Sequence, residues 1–128
     1  MAKDFLNANF SENLQVVGGF LSPVNDLYGK PGMVHSRHRI AMCEAAVQED
    51  PDHWIGVDTW ESEQLEAQKT VFTLRSIRDR IQAEIPAALL LSVRVMLLAG
   101  MDLIGSFVTP ELWLEEQVRS DWALYLKI

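Results

Sequence analysis

The chain has 128 residues, 48% of them apolar and 23% charged, a balance that suits one globular domain and excludes a disordered segment. Its net charge of −7 and pI of about 4.8 repel phosphate polymers and anionic membranes, which argues against nucleic acid or a membrane surface as partner. The lone cysteine, Cys43, leaves no internal disulfide, fits a reducing compartment, and reads as a small buried apolar residue.

In chain order, residues 2–8 read as the end of a helix, in a start region without the apolar core of a signal peptide. Residues 14–21, LQVVGGFL, form a Val-rich apolar run of strand length. Gly18 and Gly19 fall inside it, where close backbone packing explains them. SPVNDLYGKPG follows, a long loop by its Pro, Gly, Asn and Asp content. Ser36 can cap a helix through RHRIAMCEAAVQ that carries Ile40, Cys43, Ala46 and Val47 on one face.

PDHW breaks that helix, and WIGVD, residues 54–58, is a short second strand. A long helix is expected over 62–85, with Leu74, Ile77, Ile81 and Ile85 at helical spacing and Pro86 ending it. VRVMLLAG, 93–100, reads as a third apolar strand running into a glycine. MDLIGSF is a short helical turn, and Thr109-Pro110-Glu111 a helix start. WALYLKI could be a last strand. The most apolar stretch, 87–105, is interrupted by Arg94 and Asp102, so the chain reads as soluble.

Alternation of strand and helix implies an α/β fold, an open parallel sheet with helices on both faces. Ligands of such sheets bind where loops leave the carboxyl ends of strands. Those loops are 22–34, 59–62 and 100–106. The first carries Lys30 among Gly29, Pro31 and Gly32, and spacing alone leaves it either a phosphate contact or a solvated surface lysine. In the second, Trp60 and Glu61 read as a packing residue and a cap. The third sets Gly100 and Asp102 directly after an apolar run, where a carboxylate can bond ribose hydroxyls or cap the next turn. Trp113 could stack on a flat ring or fill the core. His35 and His38, three apart, lack the further ligands of a metal site, and with Arg37 and Arg39 they read as positive charge near an anion. His53 reads as loop surface.

Together, VVGGFLSPVNDLYGKPGMV, HSRHRIAMCEAA, WIGVDTWESEQ, VRVMLLAGMDLIGSF and TPELWLEE resemble successive blocks of the eukaryotic-type nicotinamide/nicotinate-mononucleotide adenylyltransferases. The resemblance covers roughly residues 2–117 and implies a Rossmann-like nucleotidyltransferase domain, partial over 1–128. It implies transfer of AMP from ATP to the mononucleotide, giving NAD or its deamido form and pyrophosphate. ATP brings Mg2+, and the partners are small-molecule nucleotides, with a homo-oligomer common in the family.

Position by position, the resemblance makes Lys30 a phosphate contact and Thr70 a backbone contact to the nicotinamide amide. Gly100 and Asp102 match the GxD pair on the adenosine side. Leu112 and Trp113 match the LW pair at the pyridine ring, and His38 and Arg39 the HR pair that supports the phosphate region. Ala67 and Lys69 depart from the usual aromatic and charged residues there. The family's GSFNPxTxxH and SSTxxR phosphate motifs do not occur in this sequence. These 128 residues are therefore expected to be inactive alone, the alternative being a non-catalytic binding or assembly module. Nucleus or cytoplasm is the expected compartment.

Overall fold

The computed structural model describes residues 2–10, 15–86 and 94–109. The chain divides into two compact units, Met1–Gln68 and Lys69–Ile128.

The first unit opens with helix α1, Ala2–Phe10. Two side chains fasten it. Asn7 accepts a hydrogen bond from the Val16 amide at 2.9 Å, and the Lys3 ammonium lies 3.2 Å from Asp52 and 5.2 Å from the centre of the Trp54 ring. Strand β1, Gly19–Leu21, leads through a loop into helix α2, Ser36–Gln48, which returns the chain to strand β2, Ile55–Val57. β1 and β2 pair in parallel, Gly19 with Ile55 and Leu21 with Val57. This is a β-α-β unit, the connection a parallel pair requires. The ladder extends by one bond at each end, from the Gly19 amide to the Trp54 carbonyl and from the Asp58 amide to the Leu21 carbonyl, both 2.9 Å.

Gly19 is where close packing was expected, and the cause is Trp54. A β-carbon at Gly19 would sit 2.8 Å from Cζ3 of that indole. Gly18 meets nothing closer than 3.8 Å, so the packing argument holds for one glycine of the pair.

In the second unit, helix α3, Thr70–Glu84, buries Val71, Leu74 and Ile77 along one face. It ends at Glu84 because Ile85 turns extended ahead of Pro86. Helix α4, Met101–Gly105, runs into a 3-10 turn over Ser106–Val108, the short helical turn expected of MDLIGSF.

Four expectations are corrected. The cap of α2 is His35, whose Nδ1 accepts from the Arg37 amide at 3.3 Å, and Ser36 is the first helical residue. Cys43 is half-buried and Ala46 exposed, so the apolar face of α2 is only partly covered. α3 begins at Thr70 and not near residue 62, because residues 58–64 spend their polar groups on local turns. Asp58 accepts from the Trp60 amide at 3.0 Å, and Ser62 and Gln64 donate to the Thr59 and Trp60 carbonyls at 2.7 Å. Such side-chain bonds compete with helix formation. Finally, residues 94–100 form no strand. A strand exists through its ladder partner, and apolar sequence alone does not supply one. The expected last strand and the helix start at Pro110 lie outside the described residues. No helix among the described residues is long and apolar enough to cross a membrane.

Candidate functional site

The loop between β1 and α2 is built by its own residues. Asn25 caps a 3-10 turn, Asp26–Tyr28, by accepting the Leu27 amide on Oδ1 at 2.8 Å. Gly29 closes the turn with φ of 70°, a left-handed value that side chains other than glycine rarely take. Lys30 then opens a second turn. The Met33 amide donates to the Lys30 carbonyl at 3.1 Å, with Pro31 at the position whose φ proline presets and Gly32 at φ of 78°. That is the residue pattern of a type II turn. Lys30 thus stands between two fixed turns. It is exposed, and among the described residues its ammonium has no partner.

Asn25 is buried, and its Nδ2 reaches across to the loop after β2. It donates to the Gln64 carbonyl at 2.5 Å, with the Glu61 and Ser62 carbonyls at 3.5 Å. With an N–H on one side and carbonyls on the other, only an amide satisfies both. One side chain therefore joins the two loops that leave the carboxyl ends of β1 and β2. Asp58 and Glu61, both buried, belong to that second loop.

Asp26 is the other hub. Its Oδ1 accepts from the Ser36 amide and from Arg39 Nη2, both at 2.7 Å; its Oδ2 accepts from Ser36 Oγ at 2.8 Å and lies 3.3 Å from His35 Nε2. Partial desolvation pushes the Asp26 carboxyl up. The hydrogen bonds from Arg39 and Ser36 and the charge of His35 outweigh it and hold the pKa below the ordinary carboxylate value. The cationic cluster at the start of α2 was expected to face an anion, and for Arg39 and His35 that anion is the chain's own Asp26. Arg37 instead donates to His38 Nε2 at 3.1 Å.

Of the positions carried by the resemblance, Thr70 is the first residue of α3, where helix geometry leaves backbone N–H groups without intrahelical acceptors. Gly100 caps α4 in extended conformation, its carbonyl accepting from the Ile104 amide at 3.2 Å. Asp102 lies in the first turn of α4, and its side chain is outside the described residues, as are Leu112 and Trp113. Asn25 and Asp26 were missed as organisers. The signal was there: Asx residues directly before a short turn bond to nearby amides. What pairs Asp26 with Arg39, thirteen residues on, is the path of the chain, which composition does not report.

No protein-family model matches the chain. The chain is 37% identical over 122 residues to a nicotinamide/nicotinic acid mononucleotide adenylyltransferase of Arabidopsis thaliana, a match covering 94% of the chain and 48% of the relative. It is 40% identical over 119 residues to the rice protein of the same name, covering 93% of the chain and 45% of the relative. A zebrafish protein named as form 2 is 53% identical over 64 residues, half of this chain and 20% of the relative. The chain thus spans about half the length of the plant relatives it matches. Sharing more than a third of its residues with the plant proteins along nearly its whole length, the chain belongs to the nicotinamide/nicotinic acid mononucleotide adenylyltransferase family.

Proposed function

We propose that this chain is the part of an NAD-forming adenylyltransferase that holds the mononucleotide and the adenosine ribose. A phosphate oxygen of the mononucleotide attacks the α-phosphorus of ATP. The bond to the β-phosphate bridging oxygen breaks, and pyrophosphate leaves with the electron pair. Positioning and charge compensation carry a reaction of this kind, and no protein nucleophile is needed. Magnesium enters as part of the ATP substrate.

In this reading Lys30 meets a substrate phosphate as a mobile positive charge. Thr70 offers backbone to the pyridine amide, and Trp113, with Leu112 before it, faces the pyridine ring. Gly100 and Asp102 serve the ribose. The single observation that carries the reading is the identity to proteins of this name over more than nine-tenths of the chain. The fixed presentation of Lys30 by two turns supports it.

The test is NAD formation by the product of the complete gene. Supplied with MgATP and nicotinamide mononucleotide or its nicotinate form, it is expected to release pyrophosphate and form the dinucleotide. No pyrophosphate release with either substrate overturns the proposal. The 128 residues assayed alone are expected to stay silent, because GSFNPxTxxH and SSTxxR are not in this sequence and each lost preorganised donor costs about 100- to 1,000-fold in rate.

A further inference from the structure

We propose that Arg39, locked to Asp26, is a positioning residue for Lys30, clasping both limbs of the loop that presents it. The inference rests on the proposed phosphate role of Lys30.

The geometry is that of a fork closing a loop. Arg39 donates from Nη2 to Asp26 Oδ1 at 2.7 Å and from Nε to the Val34 carbonyl at 2.9 Å. Asp26 stands four residues before Lys30, and Val34 four residues after it. One guanidinium thus holds the incoming and outgoing limbs at equal distances along the chain. Its planar array of donors suits two acceptors at once, whereas a lysine ammonium is a point charge on a flexible stem. The Arg39 side chain is 14% exposed, so its position is set by this pairing and not by solvent. Asp26 is fixed in turn by the amide and hydroxyl of Ser36, at the first turn of α2. The clasp therefore ties the loop to the rigid end of a helix of 13 residues.

Between the clasped limbs the chain has little freedom. Gly29 and Gly32 take left-handed conformations inside hydrogen-bonded turns, and Pro31 fixes a third dihedral. What the turns leave open is the spread of the limbs, which Arg39 sets together with the Ser36–Asp26 bonds. A loop fixed before substrate arrives binds its phosphate without an ordering cost. With the clasp opened, Lys30 still carries its charge but reaches the phosphate from a spread of positions. The expected result is weaker nucleotide binding with the chemical step little altered.

A double-mutant cycle on the intact protein separates this from plain structural support. Arg39→Lys, which keeps the charge but not the fork, is expected to raise the KM for the mononucleotide about tenfold with kcat changed less than about twofold. In a Lys30→Met background the same substitution is expected to change KM by less than about twofold, because there is no ammonium left to misplace. Asp26→Asn should repeat the pattern of Arg39→Lys. Faster amide hydrogen exchange at Gly29 and Met33 in both variants, with exchange along α3 unchanged, would report the opened clasp directly.

If Lys30→Met impairs the enzyme and Arg39→Lys impairs it equally in both backgrounds, the clasp proposal fails and the phosphate role stands. If Lys30→Met leaves KM and kcat at wild-type values, the phosphate role fails and takes the proposal with it. Unchanged exchange at Gly29 and Met33 in both variants also overturns the clasp, whatever the kinetics.

Discussion

The two units differ in the balance of polar and apolar side chains they bury. Among the described residues, the buried aliphatic side chains Val71, Leu74, Ile77 and Ala99 fall in the second unit, where the polar Thr73 is also buried. The first buries Pro23 and the polar side chains of Asn25, Ser36, Asp58 and Glu61, while Phe20 and Leu21 of its own β1 stay partly exposed. Apolar burial is non-directional and tolerates small shifts of the chain. Buried polar groups must meet specific partners, because an unmet one costs free energy. The loops after β1 and β2 are thus held by bonds that define position, and α3 is held by contacts that define stability.

The largest effect expected from this contrast is in α3. Ile77→Ala should lower the unfolding free energy by about 2–5 kcal/mol, read by denaturant titration, because it leaves a cavity on the buried face. A loss no greater than that of an exposed alanine substitution would show that this face is not a core.

Asn25 probes the other kind of region. Asn25→Ala should cost about 1–3 kcal/mol by leaving buried carbonyls and an amide unmet. Asn25→Asp should cost more than Asn25→Ala, since a carboxylate oxygen would face the carbonyls of Glu61, Ser62 and Gln64. If Asp proves milder than Ala in the same titration, the amide is not acting as the bridge between the loops.

Gly19→Ala is expected to cost about 1–3 kcal/mol, since the added methyl must displace the Trp54 ring. Tryptophan fluorescence should shift with it. A stable variant with unchanged fluorescence would mean the indole lies elsewhere.

The smallest effect is electrostatic. The folded-state pKa of Asp26 lies below its ordinary value of 3.8. Its ionised form therefore favours folding above that value, and the contribution is lost as pH falls through the lowered folded pKa. The stability of wild type and Asp26→Asn should converge in that acid window and separate above it. Parallel profiles down to the lowest pH would contradict the depressed pKa.

The residues differ in how much of this the sequence discloses. Gly29, Pro31 and Gly32 announce turns, because backbone conformation is a local property. Pro86 was readable for the same reason, and Gly19 as a glycine of close packing, though its neighbour Trp54 was not. The β-α-β order was visible in the alternation of apolar and turn-rich runs. The start of α3 was not, because Asp58, Ser62 and Gln64 close local turns where periodicity suggests helix. The strand expected over 93–100 has no counterpart at residues 94–100, because apolar character does not specify a ladder partner. The Asn25 bridge and the Asp26–Arg39 pair join residues distant in sequence, and a single sequence holds no record of which polar groups meet. Lys30 was singled out by its Gly-Pro-Gly surroundings and given a role through the family resemblance, and the structure shows it exposed between two turns.

The central claim is that Lys30 touches a substrate phosphate. Acylation of the lysines in the intact protein, followed by mass spectrometry with and without nicotinamide mononucleotide and MgATP, tests it most directly. Lys30 should be modified readily in the free protein and protected when the nucleotides are bound, while Lys3 reacts alike in both conditions. Equal modification of Lys30 with and without bound nucleotide would contradict the account.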